Sequence, residues 1–113
     1  MKRLLLILAV IALPAPAYAG AGGFVLVNGT ETALAQMSIR RAGSDSWKPI
    51  GAAAAPGSNQ SVSFADPDCA FDIRATVAGA GPVTWAGVNL CDVKSVTLKS
   101  DSAAGQWVDY DAP

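Results

Sequence analysis

The sequence predicts an all-β fold, an antiparallel β-sandwich of about six to seven short strands with one disulfide. Several short runs alternate apolar and polar residues, which is the period of a half-buried strand. Turn residues separate these runs at intervals of about 8–14 residues. No segment after residue 19 has the length and periodicity of a normal helix, and a parallel sheet would need such crossover helices. Antiparallel pairing is therefore expected.

The first nineteen residues have the organisation of a secretory signal peptide. A basic start, Met1–Arg3, precedes an uncharged apolar run, Leu4–Leu13, and the small-residue cleavage site Ala17–Ala19. This apolar run is shorter than the roughly 20 residues that cross a bilayer. We expect cleavage before Gly20, a periplasmic or secreted location, and no membrane anchor after cleavage.

Residues 20–113 are expected to form a single β-sandwich domain. Removing 19 of 113 residues leaves 94, a usual length for one domain. Cleavage also removes Lys2 and Arg3, so the formal net charge changes from −1 to −3. A mildly acidic domain repels phosphate backbones, which argues against a nucleic-acid partner.

Strands are predicted along the first half of the chain at three places. Phe24–Val27 is a short apolar run that ends at the Asn28-Gly29 turn. Met37–Arg40 alternates and is predicted as the second strand. Residues 48–50 follow a turn, and Pro49 restricts them to a sheet edge.

The second half contains the clearest strand, Cys69–Val77, in which every other residue is apolar. Gln60–Phe64 precedes it, Val83–Val88 is its return strand, and residues 95–98 are the last predicted strand. The tail from Lys99 is polar and then carries Trp107, Val108 and Tyr110, and no strand is predicted in it.

This alternation predicts which side chains form the core. One face carries the inward-pointing residues Phe71, Ile73 and Val77, with Val62 and Phe64 as the neighbouring apolar stripe. Asp72 and Arg74 lie on the opposite face and are expected to be solvent-exposed.

Cys69 and Cys91 are predicted to form a disulfide, because an even cysteine count in an exported chain favours one. A metal or redox pair is disfavoured, since the chain has no His and no Cys-x-x-Cys. The closed loop of 23 residues corresponds to about 3.4 kcal/mol in the chain-entropy account.

Two sets of residues are candidates for a functional site. Asp66, Asp68, Asp72 and Asp92 flank the cysteines and offer weak candidates for calcium ligands or for a glycosidase acid and base. The simpler interpretation is that they occupy turns and a solvated face. Without His, a Ser-His or Cys-His nucleophile is excluded, which leaves a Ser-Lys arrangement with Lys48, Lys94 or Lys99. None of these lysines lies in an apolar run that would desolvate it, and we expect no enzyme and no cofactor.

The second candidate set is Trp47, Arg40 and Arg41, proposed as an interaction surface. An exposed aromatic ring can bind sugars or peptides by stacking and burial. Trp85, by contrast, lies in a predicted strand and is expected in the core.

Several short motifs resemble those of a group of small uncharacterised bacterial exported proteins. The motifs are Asn28-x-Thr30, Ser44-Asp45-x-Trp47, Cys69-x-Phe71-Asp72-Ile73-Arg74 and Trp85-x-x-Val88-Asn89-Leu90-Cys91. The resemblance implies export and a fold type, and it implies no reaction and no catalytic residue.

The expected function is that of an exported, non-catalytic binding or interaction module. Its partner would be a protein or glycan of the cell envelope that meets a loop end or an open sheet edge. The alternatives are a small hydrolase, inhibitor or calcium-binding protein that uses the four aspartates, and a structural component of the envelope.

Overall fold

The structure, a computed structural model, describes residues 20–51 and 54–113. It contains eight strands: β1 (Phe24–Asn28), β2 (Leu34–Arg41), β3 (Lys48–Gly51), β4 (Asn59–Val62), β5 (Ala70–Val77), β6 (Gly81–Asn89), β7 (Ser95–Asp101) and β8 (Gly105–Asp111). Across these two described ranges, no helix has the length and apolar character needed to cross a membrane. The predicted signal peptide, residues 1–19, lies outside the described residues.

The strands form two four-stranded sheets, ordered β4-β1-β7-β8 and β3-β2-β5-β6. This confirms the all-β sandwich, with eight strands rather than six or seven. The first sheet is mixed, because β1 and β7 pair in parallel. This parallel pair needs no crossover helix, since the chain between its two strands builds the second sheet and the edge strand β4.

Strand β8 was missing from the sequence prediction, which placed the last strand at residues 95–98 and treated the segment from Lys99 as a tail. It pairs along its whole length with β7. Asp101 organises the connecting turn, since its Oδ1 accepts hydrogen bonds from the amides of Ala103 (2.6 Å) and Ala104 (3.2 Å). As an edge strand with an exposed outer face, β8 lacks the apolar alternation that reveals a buried strand.

The core lies between the sheets, and its buried apolar residues come from both of them. They are Ala21, Phe24, Leu26, Leu34, Met37, Ile39, Val62, Phe71, Ile73, Ala75, Trp85, Val88, Leu90, Val96 and Leu98. The predicted inward positions are confirmed, with Phe64 and Val77 half-buried against this cluster. Trp85 links the sheets, because its indole Nε1 donates a hydrogen bond to the carbonyl of Lys99 at 2.8 Å.

The disulfide between Cys69 and Cys91 is confirmed, with a Cα–Cα distance of 5.2 Å. It closes the open end of the β5–β6 hairpin, whose outermost pair is Ala70 with Asn89. The Leu90 amide also donates a hydrogen bond to the Cys69 carbonyl at 2.9 Å.

The Asn28-x-Thr30 motif is a structural junction. Asn28 is 2% exposed, and its Nδ2 donates to the carbonyls of Thr32 (2.9 Å) and Ala54 (3.0 Å). Its Oδ1 accepts from the Thr30 amide and hydroxyl. A buried amide with all its groups paired ties the turn after β1 to the segment after β3.

Candidate functional site

Strand pairing in the second sheet brings two arginines together on its outer face. In the antiparallel β2–β5 ladder, Ser38 is opposite Arg74 and Arg40 is opposite Asp72, so Arg40 and Arg74 are diagonal neighbours. The half-buried indole ring of Trp47 lies beside both, with its centroid 4.5 Å from the Arg40 Cζ and 4.0 Å from the Arg74 Cζ. These are cation–π contacts. We call Arg40, Trp47, Asp72 and Arg74 the Trp47 cluster.

Asp72 anchors this cluster, and the prediction that it is solvent-exposed was wrong. It lies on the outer face but is only 5% exposed. Its Oδ2 accepts a hydrogen bond from the Arg40 Nε at 2.8 Å, and its Oδ1 accepts one from the Gly87 amide at 3.0 Å. The register of β6 shifts opposite Asp72, and Gly87 has φ +67° there. This bulge leaves the Gly87 amide free to donate to the Asp72 carboxylate, and the Arg40 side chain covers that carboxylate.

Arg41 has different partners from Arg40, because successive side chains of a strand point to opposite faces. Its Nη2 lies 3.0 Å from the Asp66 Oδ1, and its Nε lies 3.2 Å from the Asp68 Oδ2. The hydrogen bond from Arg41 holds the pKa of Asp66 below its usual value, and the same contact raises the pKa of Arg41. The two predicted interaction arginines therefore have different carboxylate partners.

An open cleft of about 370 Å³ lies at the end of β2, next to the connection that carries Trp47. Its lining residues are Ile39, Arg40, Arg41, Ser44, Ser46, Lys48, Phe64, Asp66 and Phe71. We call it the end cleft.

The end cleft combines an apolar floor with a polar rim. Ile39 and Phe71 are buried core residues, and the Phe64 ring stands edge-on to Phe71 with 5.0 Å between centroids. Lys48, opposite Ile39 in the β2–β3 ladder, is exposed at the rim. Such a cleft, with convergent polar groups over an apolar base, has the character of a ligand site.

The four candidate aspartates are not brought together. Asp66 and Asp68 bind Arg41, whereas Asp72 belongs to the Trp47 cluster. Asp92 lines a different cleft of about 440 Å³, beside residues 20–23. Within residues 20–51 and 54–113, no group of three or more His, Cys, Asp or Glu side chains is placed to hold a metal ion.

Sequence reasoning missed three contributors to this region, namely Arg74, Lys48 and Phe64. Strand alternation does place Arg74 on the same face as Asp72, which is a usable signal. The contact of Arg74 with Trp47, however, depends on the β2–β5 register, which a single sequence does not reveal. Phe64 was assigned to the core, and its position at the open end of the core depends on the packing of the two sheets.

Comparison with known proteins supports the fold alone. A solved NMR structure of a protein from Eubacterium rectale is similar, with a TM-score of 0.58 and 14% sequence identity, covering 88% of this chain and 96% of that one. No family model and no curated protein matches the chain.

Proposed function

We propose that this chain is an exported, non-catalytic binding module. Its binding surface is the end of the sandwich that holds the end cleft and the Trp47 cluster, and its partner is a protein or glycan of the cell envelope. The observation that carries this proposal is the end cleft itself, which is lined by the half-buried Phe64 ring, the exposed Lys48 and Arg40. Arg40 also contacts the Trp47 indole, which joins the cleft to the Trp47 cluster.

Three features support the proposal. Export is supported by the signal-peptide pattern and by the disulfide, which persists in oxidising compartments. Binding is supported by the residue types at this end, since Trp and Arg are the side chains that most often dominate interfaces. A non-catalytic role is supported by the state of the charged groups, because the Asp66 carboxylate already accepts hydrogen bonds from Arg41 and Lys48 is solvated at the rim.

The test is site-specific photo-crosslinking in the envelope of the source cells. A photoreactive residue replaces Ser46, at the end cleft, or Gln106, an exposed position on β8 that serves as the matched control. We expect a discrete adduct from position 46 that is absent from position 106. Adducts from position 106 alone, or identical adducts from both, would contradict the proposed surface. Chemical conversion of the bound partner would contradict the non-catalytic role.

A further inference from the structure

We infer that the part of the partner that enters the end cleft is the C-terminal residue of a protein, with an apolar side chain and a free carboxylate. This inference rests on the proposed function and specifies its ligand.

The rim offers hydrogen-bond donors that have no partner in the described structure. Among the described residues, none forms a hydrogen bond or ion pair with the Lys48 side chain, so its ammonium group has three donors to offer. Ser44 Oγ accepts from the Ser46 amide at 3.1 Å, which leaves the Ser44 hydroxyl proton to donate. The Ser46 hydroxyl is exposed beside it.

The carboxylate in the cleft lining already has hydrogen-bond partners. Asp66 Oδ1 accepts from the Arg41 Nε at 3.1 Å and from the Asp68 amide at 2.8 Å, and its Oδ2 accepts from the same Nε at 3.2 Å. Because the Lys48 ammonium group can only donate hydrogen bonds, a ligand that complements it brings acceptors of its own. A carboxylate does so with charge-assisted hydrogen bonds, which are stronger than those of a neutral acceptor.

The floor selects what is attached to that carboxylate. Ile39 and Phe71 are only 2% and 1% exposed, so the half-buried Phe64 ring is the apolar surface on which a ligand side chain would pack. An Asp or Glu side chain carries its carboxylate on a short stem with little apolar surface. A C-terminal residue holds both groups on one Cα, so that its carboxylate can face Lys48 while its side chain packs on the floor. Capture of a chain terminus is an established mode of peptide recognition.

The experiment is a titration of the ¹⁵N-labelled protein, followed by amide chemical shifts, with matched pairs of small probes. N-acetyl-Gly-Phe with a free carboxylate is compared with the same dipeptide as its C-terminal amide, and with glucuronate. We expect shifts around Ile39, Ser46 and Lys48, and an affinity about tenfold higher for the acid than for the amide, the difference made by a charge-assisted hydrogen bond.

Variants assign the preference to one group. Lys48→Met keeps most of the aliphatic stem and removes the ammonium, so the acid should then bind no better than the amide. Lys94→Met, an exposed lysine outside the end cleft, should keep the full preference.

Three other outcomes of the titration would contradict this inference. Acid and amide binding equally at the end cleft in the unaltered protein would overturn this inference and leave the proposed function standing. Tighter binding of glucuronate than of the dipeptide acid would contradict a peptide ligand and favour a glycan. If no probe at millimolar concentration shifted the amide signals of the end cleft, the inference would be overturned. The proposed function is tested separately, and it would be overturned if photo-crosslinking from position 46 gave no adduct.

Discussion

At the scale of single residues, Asp72 is the charged group on which the outer face of the second sheet depends. Replacing it by Ala leaves the Gly87 amide without its acceptor and the Arg40 guanidinium without its closest carboxylate. We expect the free energy of unfolding to fall by about 2–3 kcal/mol, less than for a fully buried ion pair because Arg40 remains partly in contact with solvent. Urea denaturation measures this loss. Asp109→Ala, at an exposed position on β8, is the matched control and should change stability by no more than about 0.5 kcal/mol. If Asp72→Ala lowered the free energy of unfolding as little as Asp109→Ala does, the Asp72 contacts would contribute nothing to stability.

A second residue-scale prediction concerns Asp66 and pH. The hydrogen bond from Arg41 lowers the pKa of Asp66 in the folded protein below its usual value. A depressed carboxyl pKa stabilises the fold above the unfolded-state value, and that contribution is lost as the pH falls through the folded-state value. The Asp66 carboxyl carbon should therefore titrate with a pKa below that of an ordinary aspartate by NMR, and Arg41→Gln should move its midpoint upward. An unchanged midpoint in Arg41→Gln would contradict the assigned cause. The contact is exposed, so its effect on global stability is screened by solvent.

At the scale of elements, the β7–β8 hairpin depends on a glycine at its turn. Gly105 has φ +83°, a conformation in which a Cβ is strained even though nothing lies within 4 Å of the position it would take. We expect Gly105→Ala to lower the free energy of unfolding by about 1–2 kcal/mol, purely through backbone strain. Gly22→Ala is the control, since a Cβ at that position also meets nothing within 4 Å and the glycine has no positive φ. It should stay within about 0.5 kcal/mol of the unaltered protein. A similar loss in both variants would mean that the φ value at position 105 is not the cause.

The strands also show what a single sequence can predict. Strand β5 was predicted almost to its ends, because its two faces differ in polarity at every step. Strand β8 was not, because Trp107 and Tyr110 are 39% and 47% exposed and acidic residues lie between and after them. This edge strand is stabilised by its ladder to β7 with Val108 alone among its apolar side chains half-buried against the core, and one such residue leaves no periodic pattern in the sequence.

At the scale of the whole molecule, the sequence predicted the layers but not their connections. The sandwich and the disulfide follow from alternation, turn residues and cysteine number. The parallel pairing of β1 with β7 does not, since it joins strands separated by most of the domain. The candidate site shows the same contrast between residue types, which the sequence reveals, and strand pairing, which it does not. Arg40, Arg41 and Trp47 were recognised as candidates from their types, whereas the end cleft and the contact of Trp47 with Arg74 arise only when β2, β3 and β5 are in register.

The disulfide acts at this same scale, because it fixes the point at which the chain leaves the second sheet for the first. Cys69 precedes β5 and Cys91 follows β6, and the chain then crosses to β7 in the other sheet. We expect Cys69→Ser and Cys91→Ser each to lower the free energy of unfolding by about 2–4 kcal/mol. The double variant should lose no more than either single variant, because all three lack the same bond. Denaturation with and without reductant provides the control, since the unaltered protein should fall to the level of the variants when it is reduced. A double variant whose loss equals the sum of the two single losses would show that each cysteine stabilises the fold through its own packing. The bond would then not be what stabilises this junction.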